Sequence, residues 1–178
     1  MYRRAAMATL VALFVGAAAL IGIEFSNGAA DAGALAVRDP CEPRSAFPGQ
    51  GLDATLQRCA EMIESGGPAQ HVAVNVAKIV AVRDDDRLRA IVEGCDLVSV
   101  DGMPVVWASR ILGDPLPERV TGIDLMFRLL ELAEERGYRV FVLGAKQEVL
   151  ETAVAKLAER YPRLTVAGFH HGYFDDAD

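Results

Sequence analysis

Two apolar patterns alternate along residues 51–178. Spacings of three and four residues predict helices, and short runs rich in β-branched residues predict strands. The predicted helices span 53–65, 84–93, 103–112, 122–136 and 147–160. The predicted strands span 71–76, 96–100, 139–144 and 164–169. Because the two kinds of element alternate, we expect an α/β domain with a mostly parallel sheet and helices on both faces.

The first 25 residues carry a different pattern. Arg3 and Arg4 precede an uncharged, apolar stretch from Ala5 to Ile23, close to the roughly 20 residues that a membrane-spanning helix needs. A basic start, an apolar centre and small residues afterwards are equally typical of a signal peptide. We therefore predict a signal peptide or membrane anchor over residues 1–25, with a helix buried in the protein as the alternative. An anchor or a signal would place the following domain outside the cytoplasm.

Residues 26–50 are rich in Gly, Ala, Pro and Asp and show no apolar periodicity. This composition is typical of a linker. The folded domain is therefore predicted to span residues 51–178.

The composition restricts the classes of partner and site. Hydrophobic residues make up 52% of the chain and charged residues 24%, as in globular proteins. The net charge of −7 and the lack of a basic block argue against nucleic acid as a partner, since phosphate backbones need clustered Lys and Arg. Cys41, Cys59 and Cys95 form no C-x-x-C motif, so we expect small buried side chains in a reducing compartment and no metal site. His170 and His171 are adjacent and would point apart on a strand, which makes them a poor metal pair.

Polar residues follow three of the predicted strands. Ligands of open α/β sheets bind beyond the carboxyl ends of the strands, and Asn75, Asp101-Gly102 and Gly144 occupy such positions. The Asp101 carboxylate can act there as a general base toward a bound hydroxyl. Asn75 can hydrogen-bond a sugar or a phosphate, and the helix after Gly144 can offer N–H groups to a phosphate. The alternative for Asp101 is to be the N-cap of the helix that begins at Met103.

The segment PLPERVTGIDL adds four candidates. Arg119 lies in a loop and can offset the charge of a diphosphate leaving group, with a surface salt bridge as the alternative. Thr121, Gly122 and Asp124 begin the next helix and are candidate substrate contacts. Thr121 and Asp124 also have the spacing of a capping box, so a structural role is their alternative.

Taken together, these segments resemble a known family. VNVAKIV, DLVSVDGMPVVWASRILGDPLPERVTGIDLM, GYRVFVLGAK, YPRL and GFHHGYF occur in this order and are similar to the WecB/TagA/CpsF family of bacterial glycosyltransferases. The resemblance covers about residues 52–174. Its most specific part runs from Asp101-Gly102 to Asp124.

The resemblance implies a Rossmann-like fold and an inverting hexosyltransferase that uses no metal and no cofactor. The donor would be a UDP-sugar, of the N-acetylmannosamine type or another hexose. The acceptor would be a polyprenyl-diphosphate-linked sugar at the membrane surface, in cell-surface polysaccharide synthesis. The resemblance also implies that Asp101 is the base, that Arg119 stabilises the diphosphate and that Asn75 falls on the family's T-x-N motif. It implies a membrane-associated enzyme on the cytoplasmic face, and it leaves a homo-oligomer open.

The sequence departs from the family's pattern in three places. Ala73 stands where the family has Thr, two residues before Asn75. The sequence ends at GYFDDAD, without the family's P-K-Q-E segment, so we expect a sheet that is incomplete at its C-terminus. The apolar N-terminal segment is not typical of the family. It keeps a second class of function open, namely an exported or membrane-anchored, non-catalytic module that binds a glycan or a partner, or an inactive fragment.

Overall fold

The computed structural model describes residues 9–16, 19–26 and 51–173. The strands are β1 Thr9–Gly16, β2 Ala19–Ser26, β3 Pro68–Val74, β4 Leu97–Val100, β5 Arg139–Gly144 and β6 Thr165–His170. The helices are α1 Leu52–Ser65, α2 Val76–Asp84, α3 Asp86–Glu93, α4 Met103–Ile111, α5 Gly122–Arg136 and α6 Gln147–Arg160. The predicted linker lies outside the described residues apart from Ser26, the last residue of β2.

The described strands form one sheet in the order β4-β3-β1-β2-β5-β6. The pairs β3–β4, β1–β3 and β5–β6 are parallel, whereas β2 is antiparallel to both of its neighbours. The carboxyl ends of the other five strands therefore lie at the same edge. The prediction of an α/β fold with a mostly parallel sheet is confirmed.

The apolar N-terminal run forms the two central strands, β1 and β2. Thr9 pairs with Ser26 and Gly16 with Ala19 across the hairpin. A continuous apolar run is also typical of a strand buried on both faces of a sheet, and periodicity alone does not separate that case from a helix. No helix within the described ranges is long and apolar enough to cross a membrane. The signal peptide or anchor over residues 1–25 is not tested by these contacts and stays a prediction.

Two apolar clusters cover the two faces of the sheet. Successive side chains of a strand point to opposite faces. On β3, Ala69 packs into a large cluster with α1, α5 and α6, whereas Val72 and Val74 pack with Cys95 and Val92. Helices therefore lie on both faces, with the larger core on the side of α1, α5 and α6.

The segment between β3 and β4 differs from its prediction. The sequence analysis expects one helix over 84–93, and the structure has two, α2 and α3. Asp85 separates them, and its side chain accepts a hydrogen bond from the Leu88 N–H (3.0 Å) at the start of α3. Helix α2 buries none of its side chains and carries apolar residues around much of its circumference. It therefore lacks the one-sided apolar pattern by which a surface helix is recognised.

The described cysteines are core residues, as predicted. Cys59 and Cys95 are both buried. Burial raises the pKa of the Cys59 thiol to about 12, opposed by the charge of Arg58. This thiol is therefore protonated near neutral pH and behaves as a small hydrophobe. Cys41 lies outside the described residues.

Candidate functional site

Three chain segments lie side by side at the carboxyl edge of β3 and β4. The Asp101 N–H donates to the Val74 oxygen (2.8 Å), and the Val120 N–H donates to the Val100 oxygen (2.8 Å). These two bonds bring together the end of β3, the end of β4 and the loop before α5. The structure thus places Asn75, Asp101 and Arg119 on three neighbouring segments, as a ligand site beyond the carboxyl ends of the strands requires.

The Asp101 carboxylate does not cap α4. The N-cap of α4 is Gly102, and no side chain makes a capping hydrogen bond there. Asp101 is half-buried and held through its backbone. Within the described part of the chain, no hydrogen bond or ion pair engages its carboxylate. The capping alternative is therefore wrong, and the acid group remains available to a ligand.

Asn75 and Gly102 show how closely the two strand ends approach. A Cβ built on Gly102 would lie 3.9 Å from the Cβ of Asn75. Asn75 is the N-cap of α2, and its side-chain oxygen accepts a hydrogen bond from the Lys78 N–H (3.0 Å). The cap uses Oδ1, so the amide NH₂ is the part of Asn75 that stays available to bind a ligand.

Arg119 is exposed but lies between two anchored residues. The Glu118 carboxylate accepts a hydrogen bond from the Leu52 N–H (2.7 Å) at the start of α1. On the other side, Val120 is buried and bonded to β4. No carboxylate of the described residues lies within ion-pair distance of the Arg119 guanidinium. The backbone of Arg119 is thus fixed while its charge is free to meet an anion, and the predicted alternative of a surface salt bridge is absent from this part of the chain.

Thr121 and Asp124 form the cap of α5. The Thr121 hydroxyl accepts a hydrogen bond from the Asp124 N–H (3.0 Å) and donates to the Asp124 carboxylate (2.5 Å). The structural alternative for this pair is therefore confirmed. Gly122 is buried as the first residue of α5. A direct substrate contact by Thr121, Gly122 or Asp124 stays a prediction.

Three helix N-termini meet at this edge. α2 begins after Asn75, α4 after Gly102 and α5 after Thr121. The N-terminus of a helix carries a partial positive charge of about half a unit and unpaired N–H groups. With the Arg119 guanidinium, these termini make the edge attractive to a phosphate or diphosphate although the whole chain is acidic.

Lys78 joins the site although the sequence analysis does not single it out. Its Nζ donates to the Ala73 oxygen (2.6 Å). Burial lowers the pKa of Lys78, and the charges of Cys95 and Asp101 act in the opposite direction. A positive charge therefore faces the region of the Asp101 carboxylate. In the sequence, the one clue to Lys78 is its position three residues after Asn75. This position lies on α2, a helix that the sequence analysis does not predict.

A buried polar pair supports the same strands from within the sheet. His71 is fully buried, and its Nε2 lies 2.9 Å from the Ser99 hydroxyl. Burial, and then the charge of Lys78, lower the pKa of His71 to about 4. The imidazole is therefore neutral at physiological pH and joins β3 to β4 just inside the candidate site.

Gly144 is not brought together with these residues. β5 runs in the same direction as β3, but β1 and β2 lie between them. Three strand spacings of about 4.8 Å separate β5 from β3 by roughly 14 Å. The turn after β5 has a left-handed Ala145 (φ 61°), and Gly172 packs so closely that an added Cβ would lie 3.0 Å from the Gly144 Cα. The sheet therefore does not bring Gly144 together with Asp101, and a phosphate contact at the helix after Gly144 stays a prediction.

The histidine pair also differs from its prediction. β6 ends at His170, and the two imidazole centroids lie 4.4 Å apart with the rings tilted by 36°. The expectation that His170 and His171 point apart is wrong because the strand stops between them. Among the described residues, no group of three His, Cys, Asp or Glu side chains is arranged to hold a metal ion.

A separate groove lies between α1 and α5. It has a volume of about 370 Å³, and the Glu64 carboxylate inside it pairs with Arg136 and accepts a hydrogen bond from Tyr138 (2.7 Å). Its lining residues are Asp53, Leu56, Gln57, Ala60, Glu61, Glu64, Leu132 and Arg136. Because the strand-end residues take no part in the lining, the groove is distinct from the site.

Comparison with known proteins agrees with this geometry. The model of the glycosyl transferase WecG/TagA/CpsF family matches residues 47–178, which include every residue of the strand-end site. The chain belongs to this family. WecG/TagA/CpsF proteins are glycosyltransferases by the family's description, so the resemblance inferred from the sequence motifs is confirmed.

Three curated relatives carry the same name, N-acetylglucosaminyldiphosphoundecaprenol N-acetyl-beta-D-mannosaminyltransferase. The Staphylococcus aureus (strain NCTC 8325 / PS 47) protein is 44% identical over 81 residues, which are 46% of this chain and 32% of that protein. The Bacillus subtilis (strain 168) protein is 32% identical over 96 residues, 54% of this chain and 37% of the relative. The Bacillus spizizenii protein is 33% identical over 90 residues, 51% of this chain and 35% of the relative. The chain thus spans about a third of the length of the curated relatives it matches.

Proposed function

We propose that the chain transfers a hexose or N-acetylhexosamine, of the N-acetylmannosamine type, from a UDP-sugar to a polyprenyl-diphosphate-linked sugar. The observation that carries the proposal is the position of the Asp101 carboxylate, which makes no capping bond and no ion pair among the described residues. Backbone hydrogen bonds place Asp101 beside the end of β3, where Asn75 lies, and beside the loop that carries Arg119. The names of the relatives support the sugar and the acceptor. The family supports a role in synthesis of a cell-envelope polysaccharide.

The proposed reaction is a single displacement at the anomeric carbon of the donor sugar. The acceptor hydroxyl oxygen forms the new bond to that carbon, and its proton passes to the Asp101 carboxylate. The bond from the anomeric carbon to the diphosphate oxygen breaks, and UDP leaves with the electron pair. Arg119 and the N–H groups at the helix starts offset the charge that develops on the diphosphate. Attack from the face opposite the leaving group inverts the anomeric configuration.

The remaining site residues take supporting roles in this proposal. The Asn75 amide donates to the donor sugar or to its phosphate. Lys78 places a positive charge on the same side of the site as Asp101. Thr121 and Asp124 hold the start of α5, so that the N–H groups of Gly122 and its neighbours face the ligand.

The proposed location follows from the two substrates. UDP-sugars are cytoplasmic, and a polyprenyl diphosphate is held in a membrane. We therefore place the enzyme at the cytoplasmic face of the membrane. A homo-oligomer is compatible with this arrangement.

Asp101→Asn in the full chain tests the mechanism. The substitution keeps the backbone N–H bond to Val74 but removes the proton acceptor, so we expect turnover to fall by about 10²–10⁴-fold with UDP affinity retained. Transfer from a UDP-sugar and UDP binding by calorimetry are the two measurements. Asp114→Asn, in the exposed loop after α4, is the matched control and keeps full turnover.

Unchanged turnover in Asp101→Asn would remove Asp101 from the role of base. A wild-type chain that binds UDP without transferring sugar would favour the non-catalytic binding module. A chain that binds no UDP would contradict the donor assignment itself.

A further inference from the structure

Helix α4 exposes a stripe of large apolar side chains. Val106 is its one buried residue. Met103, Trp107 and Ile111 recur every four residues and so share a face, and Leu112 follows directly. Trp107 is 56% exposed, Ile111 85% and Leu112 83%. Several large, exposed apolar side chains next to one another on a protein surface are typical of an interaction surface.

The stripe begins at the candidate site. Gly102, the N-cap of α4, directly follows Asp101, so Met103 is two residues from the proposed base. From Met103 to Ile111 the helix rises by roughly 12 Å. An acceptor whose hydroxyl reaches Asp101 can therefore place its sugar and diphosphate near the start of α4 and its lipid near Trp107 and Ile111.

The charges near the stripe suit an anionic amphiphile. Arg110 is the one charged residue of α4 and is exposed, and Arg119 is exposed on the neighbouring loop. Both are basic, although the whole chain has a net charge of −7. Apolar side chains beside arginines bind molecules that join a hydrocarbon chain to a phosphate group. Tryptophan in particular favours the boundary between lipid and water.

We propose that the exposed face of α4, formed by Met103, Trp107, Ile111 and Leu112, binds the part of the acceptor's polyprenyl chain next to its diphosphate. This inference rests on the proposed function for the identity of the acceptor. It adds the surface on which the lipid part lies.

Trp107 reports on this face directly because it is the one tryptophan of the chain. The full chain is mixed with phosphatidylcholine vesicles that contain undecaprenyl phosphate. Matched vesicles contain phosphatidylglycerol at equal negative charge. We expect Trp107 emission to move to shorter wavelength, and to be quenched by brominated lipid, with the polyprenyl vesicles and far less with the matched ones. The apolar segment over residues 1–25 contains no tryptophan, so its own binding does not produce the local signal.

Paired variants assign the effect to α4. Ile111→Gln together with Leu112→Gln should abolish the polyprenyl-dependent shift while the circular dichroism spectrum is kept, since both side chains are exposed. Val149→Gln, on a 58% exposed residue of α6, should keep the shift. UDP affinity should be the same in all of these proteins. UDP affinity therefore tests the proposed donor, and the Trp107 emission separately tests the proposed lipid contact.

Four results would overturn the proposal. An equal shift with phosphatidylglycerol vesicles would mean that α4 contacts an anionic bilayer without selecting the polyprenyl chain. A shift that depends on protein concentration without vesicles would assign the face to a second copy. Emission already at short wavelength in dilute protein would mean that the chain covers the face itself. No shift under any condition would leave the face without a lipid role.

Discussion

His71 is a buried imidazole whose protonation opposes folding. Its pKa falls from an ordinary 6.5 to about 4 in the folded chain, chiefly through burial and further through the charge of Lys78. A group with a lowered folded pKa binds its proton more tightly in the unfolded chain. For a histidine, the free energy of unfolding is therefore highest above pH 6.5 and falls as the pH drops toward the folded pKa.

The size of this effect follows from the shift. Each pH unit between the two pKa values costs about 1.36 kcal/mol. Between about pH 7.5 and about pH 5, His71 alone should lower the free energy of unfolding by about 2 kcal/mol. Carboxylates begin to titrate at the lower end of this window, so the contribution of His71 must be isolated by a variant.

The substitution His71→Gln isolates the contribution of His71 to the pH dependence of stability. The Gln amide can still hydrogen-bond Ser99 but does not titrate, so the variant is less stable near neutral pH and loses less stability on acidification. Urea unfolding from about pH 7.5 to about pH 5 measures, for wild type and for His71→Gln, the slope of the free energy of unfolding against pH. His170→Gln removes an exposed histidine outside the β3–β4 pair and serves as the comparison for the loss of an imidazole. Equal slopes for wild type and His71→Gln would refute the assignment of the buried, neutral imidazole.

Two further substitutions test how the site is held. Glu118→Ala removes the acceptor at the start of α1 and should destabilise the fold by about 1 kcal/mol, whereas Glu118→Gln keeps an acceptor and should cost less. Urea unfolding measures the stability of both variants. An unaffected Glu118→Ala would show that the bond to the Leu52 N–H contributes nothing to stability. Lys78→Met removes the hydrogen bond from the Lys78 Nζ to the Ala73 oxygen, so the free energy of unfolding should fall by about 1 kcal/mol, while Lys78→Arg keeps a donor and should cost less. Unchanged urea unfolding of Lys78→Met would show that the bond to the Ala73 oxygen contributes nothing to stability.

Much of the fold could be predicted from the sequence because strong local signals agree with the tertiary structure. Helix α5 has a cap at Thr121, a one-sided apolar face and Gly137 as a left-handed stop (φ 69°). Its predicted bounds, 122–136, match the structure, as do those of β5 and α6. The short helix α2 has a cap at Asn75 but no one-sided apolar face, since none of its residues is buried.

The hairpin could not be predicted because its signal has two meanings. A long apolar run is equally compatible with a membrane-spanning helix and with a pair of central strands. Only the pairing with β3 and β5 distinguishes the two structures. Those partners lie more than forty residues away in the sequence, so no local pattern reveals them.

The site could be predicted in part. Asn75, Asp101 and Arg119 follow or adjoin apolar runs. Backbone hydrogen bonds between the ends of β3 and β4 and the loop before α5 bring them together. Gly144 has the same local signature, but two inserted strands move it away. Sequence position identifies a strand end, whereas strand order decides which ends are neighbours.

The central hairpin has a consequence for processing of the chain. β3 and β5 each pair with one hairpin strand and one outer strand. Cleavage after Ser26 would therefore leave two separate strand pairs, β3–β4 and β5–β6, and two-stranded sheets are marginally stable in water. Each pair would also expose a new, unpaired edge on β3 or β5, which is a template for aggregation. Removal of the apolar segment as a signal and maintenance of this sheet are thus mutually exclusive in one molecule.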